Sequence, residues 1–150
     1  MKKITLFLLL GCALTYAQKA KPTYNKTLAQ SLNADDYGMK HYVFCLLKTG
    51  KNTTATDKEK EELFKGHMAN IKKLSEEGKL TVAGPFMEND REYRGIFIFN
   101  VATIEEAQAL VASDPAVKAG IFEAELTPWY SSAALQEVPK IHEQIAKSKF

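Results

Sequence analysis

Asp57 to Gly78 reads DKEKEELFKGHMANIKKLSEEG, and its spacing predicts one amphipathic helix. Leu63, Phe64, Met68, Ile71 and Leu74 recur at three- and four-residue steps and therefore share a face. His67 lies on the same stripe, four residues after Leu63 and four before Ile71. A titratable imidazole turned toward a core is the one polar departure from that stripe. Thr56 and Glu59 form a capping box at the start, and Gly78 supplies a left-handed residue at the end.

Working outward, His41 to Lys48, HYVFCLLK, is continuously apolar from Tyr42 to Leu47 and predicts a first strand buried on both faces. After the helix, Lys79 to Phe86 predicts a second strand. Gly84-Pro85 is expected to stop its ladder, because proline has no N–H to donate. Gly95 to Val101, GIFIFNV, is a third strand, again apolar on both faces. Thr103 and Glu106 form a second capping box that opens a helix through about Ala112. Ser113-Asp114-Pro115 begins a short helical segment ended by Gly120. Ile121 to Pro128 is the fourth strand, with Phe122, Ala124 and Leu126 opposite Glu123 and Glu125. The tail holds Trp129-Tyr130-Ser131-Ser132, where the aromatic pair either lines a cleft or, the reading preferred, seals the end of the domain by packing, and a helix over Pro139 to Lys149.

The order is β-α-β-β-α-β, an α+β, ferredoxin-like arrangement. Right-handed crossovers put both helices on one face and the first and third strands in the centre. The uncovered face presents Val43 or Phe44, and Ile96 or Phe97, with their neighbours. The simplest cover is the same face of a second copy, a homodimer about a two-fold axis; the rival is the C-terminal tail folding back.

The termini and composition set the class. Met1-Lys2-Lys3, apolar Ile4 to Leu10 and Thr15-Tyr16-Ala17 read as a signal peptide over residues 1–17, followed by a polar arm over 18–39. The domain proper is read over 40–130 and a C-terminal extension over 131–150. The apolar run falls short of the roughly 20 residues that span a bilayer, so no stable membrane span is expected. Leu9-Leu10-Gly11-Cys12 resembles a lipobox, so a lipid-anchored form through Cys12 stands beside soluble export to the periplasm or medium, the reading preferred here. Removing Lys2 and Lys3 would reduce the 20 basic residues to 18, equal to the 18 acidic ones, which gives no electrostatic case for nucleic acid. Loss of Cys12 would leave Cys45 alone, a small core residue without a disulfide partner. No cysteine pair or histidine cluster has zinc-ligand spacing, so neither metal nor cofactor is expected.

Gly66-His67-Met68, Gly84-Pro85-Phe86, and Asp114-Pro115 followed by Ala119-Gly120 together resemble the YCII-related (YciI-like) domain family over about Lys40 to Tyr130. The resemblance implies a ferredoxin-like dimeric α+β barrel and a histidine–aspartate pair suspected of catalysis, matching His67 and Asp114. One branch of the family is a dehydrochlorinase acting on a chlorinated hydroxylated aromatic. A related branch carries aspartate just before Gly-Pro-Phe; Ala83 stands there in this chain. The export signal and the C-terminal extension also depart from the usual single-domain cytoplasmic form.

A carboxylate accepting from one ring nitrogen would fix the imidazole tautomer and free the other nitrogen for general acid–base chemistry. The expected function is therefore binding of a small organic molecule beside His67, with Asp114 orienting the ring for elimination, isomerisation or proton transfer. Gly84 and Pro85 are candidate pocket walls, and Arg94 is a candidate contact for an anionic or aromatic ligand. The alternative is a non-catalytic ligand-binding or assembly module, since Asp114 before Pro115 is also what a helix start requires.

Overall fold

The long first strand sets the middle of the sheet. In the computed structural model, which describes residues 23–148, β1 spans Met39–Thr49 and pairs along its whole length with β4, Phe122–Ser132. Its other edge pairs with β3, Tyr93–Phe99, which in turn pairs with β2, Leu80–Pro85. The antiparallel order is β2-β3-β1-β4, with the two doubly apolar strands central. The segment read as a signal peptide, with Cys12, lies outside the described residues.

The helices follow their sequence signals. A short α1, Lys26–Ser31, lies in the arm; α2 spans Asp57–Glu76, α3 Ile104–Val111 and α4 Pro115–Lys118. Both capping boxes form, at Thr56/Glu59 and Thr103/Glu106. Gly78 and Gly120 take positive φ, at 67° and 73°. The helices cover one sheet face, where Val43, Cys45, Leu47, Phe97 and Phe99 pack with Leu74, Ala107, Val111 and Ala116. This is the expected α+β, ferredoxin-like arrangement. Among the described residues no helix is long and apolar enough to cross a membrane.

Three expectations change. Pairing does not stop at Gly84-Pro85: Pro85 sits opposite Gly95, and the Phe86 N–H donates to the Arg94 carbonyl at 2.9 Å. Proline is tolerated because β2 is an edge strand and the position of its missing N–H faces outward. β4 runs on to Ser132, past Pro128, because β1 starts at Met39 and offers partners for Trp129 to Ser132. Trp129 and Tyr130 are therefore strand residues, 38% and 44% exposed, and do not seal the domain.

The tail then turns through a 3-10 helix, Ala133–Glu137, into α5, Val138–Ile145, shorter than the helix read from the sequence. It crosses one end of the uncovered sheet face. The Tyr42 hydroxyl donates to the carbonyls of Ser132 and Ala133, and both Tyr42 and Ala133 are buried. Gln136 ties the tail to the arm by donating to the Leu32 carbonyl at 2.7 Å, while Lys40 donates to Asn100 at 2.6 Å beneath it. The rest of that face is an apolar groove of about 590 Å³ lined by Phe44, Val82, Ile96, Ile98, Trp129 and Leu135, with Thr127 at its margin.

Candidate functional site

His67 and Asp114 meet. Only His67 and Leu74 are buried on α2, while Phe64 and Met68 of the predicted stripe stay 44% and 38% exposed. The stripe is therefore narrower than its periodicity suggested, and His67 lies at its centre. The His67 Nδ1–H donates to Asp114 Oδ2 at 2.7 Å, and Asp114 is fully buried. A carboxylate can only accept, so this bond fixes a proton on Nδ1, and in the neutral ring it is Nε2 that carries the lone pair. His67 has no second partner, and no buried side-chain nitrogen or oxygen among the described residues lacks one, so Nε2 reaches the surface.

Asp114 does two jobs. Its Oδ1 accepts from the N–H of Ala116 at 2.9 Å and of Val117 at 3.4 Å, capping α4. Burial, the largest single influence, would raise its pKa; the hydrogen bond and charge of His67 and the two amides outweigh it and hold the carboxyl below its ordinary value. The aspartate is thus ionised and oriented from both sides.

Three phenylalanines surround the imidazole. Phe97 of β3 stacks on it at 5.8 Å between ring centroids, Phe122 of β4 meets it at 5.2 Å, and Phe64 of α2 at 6.1 Å. The sequence put Phe64 and Phe122 on apolar faces and left Phe97 open between the two faces of the sheet, without linking any of them to His67, because the link depends on strand register. Gly66 is the other feature read only as part of a motif. A Cβ there would lie 2.9 Å from Pro115 Cγ, so the glycine lets α2 and α4 approach closely enough for the His67–Asp114 bond. Gly66→Val is expected to push α4 away, at a cost of about 1–3 kcal/mol. Loss of the hydrogen-bonded Nδ1–H resonance of His67 in proton NMR, with secondary structure retained by circular dichroism, would check it.

The remaining predicted site residues divide. Register puts Pro85 opposite Gly95 on the helix-covered face, two residues along from the partner of Phe97, whereas Gly84 lies opposite Ile96 on the other face. These two residues therefore do not wall a single pocket. Arg94 Nε donates to Thr49 Oγ1 at 2.6 Å, and Thr49 pairs with Phe122, which brings Arg94 to the same end of the sheet as His67. Ser113 donates to the Leu110 carbonyl at 2.6 Å and to Asn70 Oδ1 at 3.2 Å, with no bond to His67. Burial, with the charge of Asp114, pushes the Cys45 thiol up to about 12, so it is no nucleophile. Among the described residues no group of three or more metal-ligating side chains gathers. A second cleft of about 520 Å³ lies between Asn52, Lys58, Glu62 and Ala119, and neither cleft is lined by His67.

No curated protein matches the chain. Among solved structures it is similar to a 5-chloro-2-hydroxyhydroquinone dehydrochlorinase (TftG) from Burkholderia phenoliruptrix AC1100, in complex with 2,5-dihydroxybenzoquinone. The two are 21% identical, with a TM-score of 0.42 over 58% of this chain and 92% of that one. A sequence model of the YCII-related domain matches residues 42–130, from the middle of β1 to the Trp129-Tyr130 pair of β4. The span takes in His67, Asp114 and the whole β-α-β-β-α-β unit, and the chain belongs to the YCII-related domain family.

Proposed function

We propose that this is a small exported protein that binds a small organic molecule at the His67 end of the sheet and uses His67 for general acid–base chemistry. The observation that carries the reading is the 2.7 Å bond from His67 Nδ1 to a buried, capped carboxylate, with Nε2 left at the surface. Asp114 holds the ring in one tautomer and stabilises the imidazolium once Nε2 has taken a proton. The phenylalanine surround keeps water from the buried side of the ring and suits a planar, apolar ligand body. Arg94, tethered to Thr49 at the same end, is placed to attract an acidic group. Elimination, isomerisation and proton transfer need no more than this. The same proposal takes the groove face as the site of a homodimer, since Phe44, Ile96 and Trp129 form a contiguous apolar surface there.

A structural reading also has an observation in its favour: Asp114 caps α4, and both clefts lie elsewhere. Diethyl pyrocarbonate, which acylates an unprotonated imidazole nitrogen, separates the two without a known substrate. The acid–base reading expects His67 to be modified at Nε2 in the folded protein. In Asp114→Asn the amide donates to Nδ1 and moves the proton to Nε2. A hydrogen bond to a charged group is worth about 1.5–3 kcal/mol, so the rate should fall at least about tenfold. Modification of His67 only after unfolding would leave the structural reading standing.

A further inference from the structure

Arg94 sits where β3 slips past β1. Leu47 faces Gly95 and Lys48 faces Tyr93, so Arg94 is an extra residue without a partner on β1, a β-bulge. A bulge re-aims the side chain it carries. Here Arg94 Nε donates to Thr49 Oγ1 at 2.6 Å, and the Thr49 hydroxyl in turn donates to the Glu92 carbonyl at 3.4 Å. Thr49 pairs with Phe122 and follows Cys45 and Leu47 at two-residue steps, on the face that packs under the helices. The tether therefore draws Arg94 toward the side of the sheet that holds His67. Phe122, the cross-strand neighbour of Thr49, packs against the imidazole at 5.2 Å between ring centroids.

The guanidinium is held but not neutralised. Its one side-chain bond among the described residues runs through Nε to a hydroxyl, and it makes no ion pair there. Glu92, two residues before it, and Glu123, next to Phe122, are exposed, and neither pairs with it. Nη1 and Nη2 remain, an end-on pair of donors whose planar spacing matches the two oxygens of a carboxylate. The corner beside them is open. Ala83 and Pro85 of the edge strand lie opposite Phe97 and Gly95 on the helix-covered face, yet both are exposed, and Gly95 has no side chain. The helices thus stop short of the outer strand at this end, next to Phe97, the ring stacked on His67.

We infer that Arg94 selects ligands that carry a carboxylate on a small planar body. Nη1 and Nη2 bind the carboxylate while the body lies against Phe97 and Pro85 beside His67, and Thr49 is the positioning residue for Arg94. This rests on the His67 reading proposed above and narrows its ligand from any small organic molecule to a planar carboxylic acid.

Benzoate and its neutral isostere benzamide are the probes, titrated into wild type, Arg94→Gln and Thr49→Val while the His67 ring signals are followed by NMR. Circular dichroism checks that each variant folds, and Arg94 is exposed, so its replacement spares the core. Benzoate is expected to shift the His67 signals and to bind wild type about tenfold more tightly than benzamide, as a hydrogen bond to a charged group implies. Arg94→Gln should lose that preference. Thr49→Val should keep part of it, because the charge stays while its fixed direction goes. Equal binding of the two probes by wild type, or an unchanged preference in Arg94→Gln, overturns the role of Arg94. An unchanged preference in Thr49→Val overturns the role of Thr49. Shifts that spare His67, or no binding of either probe, overturn the ligand site itself. Reaction of wild-type His67 with diethyl pyrocarbonate tests the acid–base reading separately, since it requires neither a ligand nor Arg94.

Discussion

Asp114→Ala is expected to lower stability by about 2–4 kcal/mol. Removing the cap of α4 costs about 1 kcal/mol, within a range of 0.5–2. Leaving the buried Nδ1–H of His67 without an acceptor adds about 1–3 kcal/mol. The bonds involved are those to Ala116, Val117 and His67, all made by a side chain with no solvent exposure. Thermal denaturation should register a fall in Tm of roughly 5–15 °C. Asp114→Asn should cost less, because its carbonyl oxygen can still cap α4. A change within experimental error for Asp114→Ala would mean that neither bond matters to the fold.

The same carboxyl sets a pH dependence. Its folded pKa lies below the ordinary value of 3.8, so near and below that pH the unfolded chain binds the proton more readily than the folded one. The contribution is fully present above about pH 4 and is lost as pH falls through the lower, folded pKa. Wild type should therefore lose its advantage over Asp114→Asn on acidification below pH 4 and keep it at neutrality. Denaturant titrations of the two proteins across that window give the difference directly.

Gly50→Ala is expected to destabilise by about 3 kcal/mol or more, through crowding and lost hydrogen bonds. A Cβ at Gly50 would stand 2.1 Å from the Gly120 carbonyl oxygen, a backbone atom that cannot swing aside. Relieving the clash separates the loop after β1 from the turn after α4. That strains the bonds from Gly50 N to the Ile121 carbonyl at 2.8 Å and from Asn52 N to the Gly120 carbonyl at 3.0 Å. Because this seam anchors the end of α4, its loss should also loosen the His67–Asp114 pair. Faster amide exchange at Ala116 and Val117 in the variant would report it, and wild-type protection there would count against the coupling.

Much of the fold was legible because its signals are local. A capping box is made by residues three apart in sequence, and Thr56/Glu59 and Thr103/Glu106 form as read. Continuous apolar runs at Tyr42 to Leu47 and Ile96 to Phe99 mark strands with neighbours on both faces, and these are the central two. Gly78 and Gly120 end their helices with the positive φ that glycine accepts without a steric penalty. What misled was context: Pro85 breaks a ladder in a central strand but not on an edge, and the end of β4 depended on how far β1 extended.

The candidate site was legible in part. His67 stood out as a polar residue on an apolar stripe, Asp114 as a helix cap, and the family resemblance paired the two. Packing assigns the oxygens of the one carboxylate, Oδ1 to the cap and Oδ2 to the imidazole. A glycine inside a helix was the available sign of close approach at Gly66. Nothing local predicted that Phe97 and Phe122, from different strands, would meet His67.

The sequence by itself determined the order of elements, the capped starts of α2 and α3, the two central strands and the helix face that holds His67, because short-range hydrogen bonding and hydrophobic period set these. Tertiary structure alone decided the geometry of the His67–Asp114 bond, the phenylalanines packed around it, and the exposure of Val138, Ile141 and Ile145 on α5. Those outcomes depend on register and on the approach of segments distant in the chain, and a one-residue change of register turns every side chain of a strand to the other face.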